Sequence, residues 1–235
     1  MLTDKDYNIA KKVVENFDLP SDIGCDQEDS VFNTDIIYDQ LRDTIIGTCC
    51  VEYGISKVVI IPENENFVIK IPFGGMWYSE EIYNEDTDEY EYVEDPCFES
   101  FENADAPDES DYCWDEVLRI EEAEELGFGV LFPETDFLGE VNGTRFYIQE
   151  KVQTSREFTP QVSEDSRTRA KDMDWGYNYG NVVWRAAIIE QYGEDFWIRF
   201  CDWARHGKML DDMHSGNYGY LNGHPIILDA SGFDS

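Results

Sequence analysis

Four side chains have the types and spacing for metal-assisted phosphate chemistry. Asp212 opens the run Asp212-Met213-His214-Ser215-Gly216-Asn217, and Asp229 closes Ile226-Ile227-Leu228-Asp229. Residues 218–221 and 225–228 between them read as short strands. Asn222-Gly223 is a two-residue hairpin signal, because both positions accept positive φ. That hairpin carries Asn217 and Asp229, at its open ends, close together. Two oxygen donors side by side, with the Asp212 carboxylate just upstream, suit magnesium and a polyphosphate. The fourth is Lys70, the one cation in the apolar strand Val68-Ile69-Lys70-Ile71. A strand lysine commonly snorkels to solvent; Lys70 follows a glycine turn and a hairpin.

These residues need elements to hold them. Lys70 belongs to the third of three strands, expected over residues 48–53, 57–62 and 66–71 and rich in Val and Ile. The turn between the first two holds Gly54, Ser56 and Lys57, whose backbone and side-chain donors can approach a phosphate. A helix is expected over 110–126, ended by Gly127, with Trp114, Val117, Leu118 and Leu126 as apolar positions. Strands follow at 134–138 and 144–152 around a second Asn-Gly turn, Asn142-Gly143. Residues 153–166 read as a polar linker, and helices over 181–192 and 194–206 as core helices. Two earlier helices, 3–17 with Thr3 as N-cap and 33–46 with Ile36, Ile37, Leu41, Ile45 and Ile46 inward, precede the strands. Residues 21–30 read as a loop.

D-x-x-x-x-N, a hairpin and an aliphatic-aliphatic-Asp run together resemble the catalytic loop and metal-binding Asp of the protein-kinase-like superfamily. The wording D-M-H-S-G-N is closer to the D-x-H-x-x-N of aminoglycoside and choline kinases than to that of eukaryotic protein kinases. It is most similar to small bacteriophage-encoded protein kinases. The resemblance spans about residues 48–233. It implies an α+β, two-lobed protein-kinase-like fold. Residues 1–46 are then a helical extension. Residues 47–152 are an N-lobe of antiparallel sheet plus one helix, with an acidic insertion at 74–112. Residues 153–235 are a reduced, helical C-lobe, truncated relative to full kinases.

By the same resemblance, Asp212 is the catalytic carboxylate, and Asn217 and Asp229 hold Mg2+. Lys70 holds the ATP phosphates and is oriented by Glu116, with Glu121 and Glu122 as the other choices on that helix. Gly54, Ser56 and Lys57 form the phosphate turn. The backbone of Glu150 and Val152 meets adenine. The chain departs from the family pattern at three points. Leu210 stands where a His is usual, Ala230-Ser231 follow the metal Asp, and Gly54 is the single glycine of its turn.

Composition limits the partners. The 235 residues are 42% hydrophobic and 14% aromatic, values of a folded chain, and carry a formal charge of −35. Such a charge disfavours nucleic acid and anionic membrane as partners, and it allows a highly soluble cytosolic protein, a binder of basic proteins or a mimic of nucleic acid, a solvated surface being the commonest case. From Gly74 to Tyr112 acidic residues dominate, with tyrosine and phenylalanine interleaved and no Lys or Arg. Like-charge runs of this kind are ordinarily solvated or disordered, while the interleaved aromatics favour part of the segment folding or docking. The six cysteines form no C-x-x-C, the three histidines no ligand pair, and the opening Met1-Leu2-Thr3-Asp4-Lys5-Asp6 no signal peptide. The expected compartment is the cytoplasm, that of a host cell if the chain is phage-encoded. Three functions fit: an ATP- and magnesium-dependent protein serine/threonine kinase, a catalytically inactive kinase-like scaffold that binds a basic host protein, and, third, a small-molecule kinase.

Overall fold

The structure, a computed structural model, describes residues 1–19, 25–26, 31–32, 34–53, 57–72, 78–84, 89–95, 111–154, 158–172, 180–206, 213 and 215–230. In chain order the elements begin with α1 (Asp4–Val14), β1 (Cys25–Asp26), β2 (Val31–Phe32) and α2 (Thr34–Leu41). Then come β3 (Cys49–Tyr53), β4 (Lys57–Pro62), β5 (Phe67–Pro72), β6 (Tyr78–Asn84), β7 (Glu89–Asp95) and α3 (Tyr112–Glu125). They end with β8 (Thr135–Val141), β9 (Thr144–Glu150), β10 (Gln153–Thr154), α4 (Glu164–Asp172), α5 (Val182–Tyr192), α6 (Glu194–His206), β11 (Tyr218–Leu221) and β12 (His224–Ile227). The fold is α+β, and the pairs β3–β4, β4–β5, β10–β11 and β11–β12 are antiparallel. No helix among the described residues is long and apolar enough to cross a membrane.

The chain divides into two compact units. A sheet unit comprises Leu2–Trp114 and Asp136–Gln149; a helical unit comprises Met1, Asp115–Thr135 and Glu150–Ser235.

The sheet unit is built on a five-stranded sheet of order β3-β4-β5-β9-β8. Side chains alternate between the faces of a strand. Val58 and Ile60, then Phe67, Ile69 and Ile71, then Phe146 and Ile148 fall into one buried core. Helices α1 and α2 cover that face, adding Ala10, Val13, Val14, Phe17, Ile37 and Leu41 to the same core. Each fully buried aliphatic side chain contributes about 1.5–3 kcal/mol. Helix α1 begins where Thr3 and Asp6 form a capping box. Its Tyr7 hydroxyl donates to Asp136 on β8, and Phe17 meets Phe146 edge-on at 5.3 Å. Asn142-Gly143 closes β8 to β9 with both residues at positive φ, 50° and 81°.

Three expectations are refined here. Helix α2 stops at Leu41, because Thr44 turns back to donate its N–H and its hydroxyl to the Leu41 carbonyl. That turn breaks the 3.6-residue period, so Ile45 is 59% exposed while Ile46 stays buried. The acidic stretch also contains regular structure: β6 and β7 pair antiparallel from Tyr78↔Asp95 to Asn84↔Glu89. Its alternating tyrosines and β-branched residues supply strand propensity that the charge pattern hid. The loop expected at 21–30 also contributes to a minimal pair, β1 with β2.

The helical unit packs α5 and α6 around Trp184, Trp197, Phe200 and Ile188. Asn181 caps α5 by accepting the Trp184 N–H at 2.8 Å, and Gly193 ends it at φ 90°. Trp184 meets Trp197 edge-on at 5.9 Å and Tyr218 at 5.2 Å. Phe128 lies between Phe196, Phe200 and Trp203. The expected linker gives way to α4 at Glu164, where Ser163 Oγ accepts the Ser166 N–H at 3.2 Å. The three strands β10-β11-β12 complete the unit.

Candidate functional site

The C-terminal hairpin forms around the expected turn, with Asn222 at φ 52° and Gly223 at φ 83°. Its register runs from Leu221↔His224 to Tyr218↔Ile227. One further bond lies outside this ladder: the Leu228 N–H donates to the Asn217 carbonyl at 2.8 Å. The pairing therefore continues past the strands and brings Asn217 beside the Leu228-Asp229 step. Both side chains are half-exposed, while Tyr218, Ile226 and Ile227 anchor the ribbon in the core. Gly219 is required by the neighbour on the other edge. A Cβ there would stand 2.1 Å from the Gln153 carbonyl oxygen of β10.

Asn217 offers an amide oxygen and Asp229 a carboxylate, both in partial contact with water, and these ligand types would suit magnesium. That ion keeps several waters and takes one or two carboxylates plus substrate phosphates. Asn217 and Asp229 are the residues that would hold it. Among the described residues no group of three or more His, Cys, Asp and Glu is arranged to hold a metal ion. Asp212, like Gly54 and Ser56, lies outside the described residues.

The sheet unit carries the two cations. Because Ile69 and Ile71 face the α1/α2 core, Lys70 projects from the opposite face of β5. Lys57 is on that same face. It pairs with Pro72, two residues from Lys70, and Lys70 pairs with Val59, two residues from Lys57. The two lysines are thus diagonal neighbours on adjacent strands. Lys57 is 6% exposed and Lys70 4%, so neither snorkels to solvent.

Glu116, Glu150, Val152, Asn217 and Asp229 belong to the helical unit. On α3 the buried positions are Cys113, Glu116, Val117, Ile120 and Ala123, a stripe at helical spacing. Glu116, 1% exposed, is the carboxylate within this stripe. Glu121 and Glu122 are exposed, and Glu122 accepts the Trp203 indole N–H at 3.1 Å. Leu118 and Leu126, expected as apolar positions of α3, lie 45% and 47% exposed, off that stripe.

The Glu150 N–H is engaged in donating to the Glu134 carbonyl at 3.0 Å. Its carboxylate accepts the Glu134 N–H at 3.0 Å and pairs with the Met1 ammonium. Any ligand contact of the Glu150 backbone is therefore left to its carbonyl. Val152 is half-buried, one residue before β10.

Two features escaped the sequence reading. Arg185 of α5 is buried, its Nε finds no hydrogen-bond partner among the described residues, and desolvation lowers its pKa. Asp111, Arg145 and Tyr147 form a buried hydrogen-bonded group in the sheet unit. Asp111 immediately before an apolar-periodic run is an N-cap signal, so this group was partly readable. Set against family models, curated proteins and solved structures, the chain matches none of them.

Proposed function

We propose that the chain is an ATP- and magnesium-dependent phosphotransferase, a compact protein serine/threonine kinase of the protein-kinase-like superfamily. One observation carries the reading. The Leu228-to-Asn217 bond closes the base of the hairpin and brings Asn217 beside the Leu228-Asp229 step, with the amide side chain of one and the carboxylate of the other half-exposed. The paired buried lysines of the sheet support it, since a polyphosphate needs local cations in a chain of charge −35. The kinase-like, two-lobed fold is part of the same proposal. Its support is an antiparallel sheet with α3 inserted in sequence between β5 and β8, followed by a helical unit ending in β11–β12.

On this reading Lys70, with Lys57 beside it, binds the phosphates of ATP, and Glu116 orients Lys70. Asn217 and Asp229 hold magnesium, which supplies charge neutralisation at the transferred phosphoryl group. Asp212 orients the acceptor hydroxyl and takes its proton. The Glu150 carbonyl and the Val152 backbone meet adenine. A basic protein is the acceptor best matched to the surface charge.

The deciding experiment is nucleotide binding with and without magnesium, followed by transfer of labelled γ-phosphate to a basic protein. Asp212→Asn should lower kcat about a thousandfold or more with little change in nucleotide affinity. Full transfer by that variant would reject the assignment. A second reading, an inactive scaffold for a basic host protein, draws on the β6–β7 ribbon, regular structure inside the acidic segment. It prevails if the wild type never transfers phosphate yet retains a host protein through residues 80–109.

A further inference from the structure

Asp111 uses both oxygens of a carboxylate that is only 8% exposed. Oδ1 accepts the N–H groups of Cys113 at 3.1 Å and Trp114 at 3.0 Å, which caps the first turn of α3. Oδ2 accepts the Tyr147 hydroxyl at 2.6 Å and Arg145 Nη1 at 2.9 Å. A cap alone needs one oxygen, and Ser, Thr or Asn supply it as well. The second oxygen is committed to a neighbouring strand, β9, through a charge-assisted bond and a short hydroxyl bond.

The face of β9 that Asp111 meets is the informative one. Phe146 and Ile148 point into the α1/α2 core, so Arg145 and Tyr147 stand on the opposite face. That is the face from which Lys57 and Lys70 project. Aromatic packing repeats the link: Trp114 meets Phe137 edge-on at 6.5 Å, and Phe137 meets Tyr147 at 5.3 Å. Burial and the bond to Asp111 push the Tyr147 phenol up, and the bond to Asp111 raises the Arg145 guanidinium as well. Across neutral pH Tyr147 therefore stays a neutral hydroxyl donor and Arg145 a cation.

We propose that Asp111 is a positioning residue that clamps the first turn of α3 onto the lysine-bearing face of the sheet, fixing the register in which Glu116 enters the helix. Glu116 is two residues beyond Trp114, the last residue the clamp touches. The functional consequence rests on the kinase reading, in which Glu116 orients Lys70. The clamp itself is independent of that reading.

The test separates the two halves of the clamp in the full-length chain. Tyr147→Phe removes one hydroxyl and leaves the cap. Asp111→Asn keeps a capping oxygen but turns an amide donor or a neutral oxygen toward Tyr147 and Arg145. Arg145→Lys keeps a cation and serves as the conservative control. Amide hydrogen exchange of residues 113–117 is read against α5 as internal reference, together with steady-state ATP kinetics.

For Tyr147→Phe and Asp111→Asn, exchange in the first turn of α3 should quicken about tenfold while α5 is unchanged. The kcat should fall about tenfold, with the Arg145→Lys variant closer to wild type. Unchanged exchange at 113–117 in both variants overturns the clamp. Quickened exchange with wild-type kcat and KM overturns the positioning role. If the wild type transfers no phosphate, the kinase reading fails, and the exchange measurement alone decides for or against the clamp.

Discussion

The Leu228 N–H reaches the Asn217 carbonyl at 2.8 Å, one step beyond the last paired residues of β11 and β12. This bond holds the two ends of the hairpin together where Asn217 and Asp229 stand. On the proposed function, Asp229→Ala would remove one hard-oxygen ligand without touching the β11–β12 ladder. Magnesium-dependent ATP affinity should drop at least about tenfold, with an unchanged unfolding midpoint. Calorimetric titration with and without magnesium measures it. Equal affinity for wild type and variant, magnesium present, would reject Asp229 as a ligand.

Lys70 offers a test on the sheet unit. Lys70→Met keeps the length of the side chain and its apolar stem while deleting the charge. If the ammonium serves phosphate, kcat/KM for ATP should fall about a hundredfold or more. Thermal stability is read alongside, because deleting one member of a buried charged group leaves its partner uncompensated, at a cost of about 3–5 kcal/mol. A large loss of stability with unaltered nucleotide kinetics would make Lys70 a structural cation.

Both Asn-Gly hairpins were legible because the signal is local: two adjacent residues that tolerate positive φ, here 50° and 52° at Asn142 and Asn222 and 81° and 83° at Gly143 and Gly223. The strand Lys57–Pro62 was legible for the same reason, an unbroken Val/Ile run. Ile45 was misplaced because helical periodicity carries no notice of where a helix stops; a single turn at Thr44 undid the phase. The β6–β7 ribbon was hidden by charge, which reports on solvation and not on pairing. Glu116 was nameable, but its burial beside Cys113 and Val117 was not, since apolar neighbours on α3 alternate with exposed glutamates. The Asp111–Arg145–Tyr147 group joins residues 34 and 36 positions apart, a separation no local pattern encodes.

Gly219 was not marked by the sequence, yet the fold depends on it. Its missing Cβ leaves room for the Gln153 carbonyl, which such an atom would meet at 2.1 Å. Gly219→Ala must therefore push β10 away from β11, breaking the pairs Gln153↔Tyr220 and Thr154↔Gly219. A loss of about 1–3 kcal/mol in unfolding free energy is expected, typical of overpacking. Urea titration measures it. A variant as stable as wild type would mean that β10 is not held against β11.

The thiols test the fold without reference to activity. Cys50 is exposed, Cys49 half-buried, and Cys113 and Cys201 buried. Burial is the main cause that raises Cys49, with Cys50 and Glu63 adding to it, and burial pushes Cys201 up to about 12. A thiol of that kind is almost wholly protonated at pH 8, and the thiolate is the nucleophile. In a Cys25→Ser, Cys97→Ser background, alkylation at pH 8 should modify Cys50 first and Cys49 more slowly. Cys113 and Cys201 should react only on unfolding. Raising the pH from 7 to 9 should leave Cys201 unmodified, since its folded-state pKa lies above that window. Peptide mapping by mass spectrometry reads all four sites. Labelling of Cys201 at the rate of Cys50 in the native protein would mean that α6 does not bury it against α5.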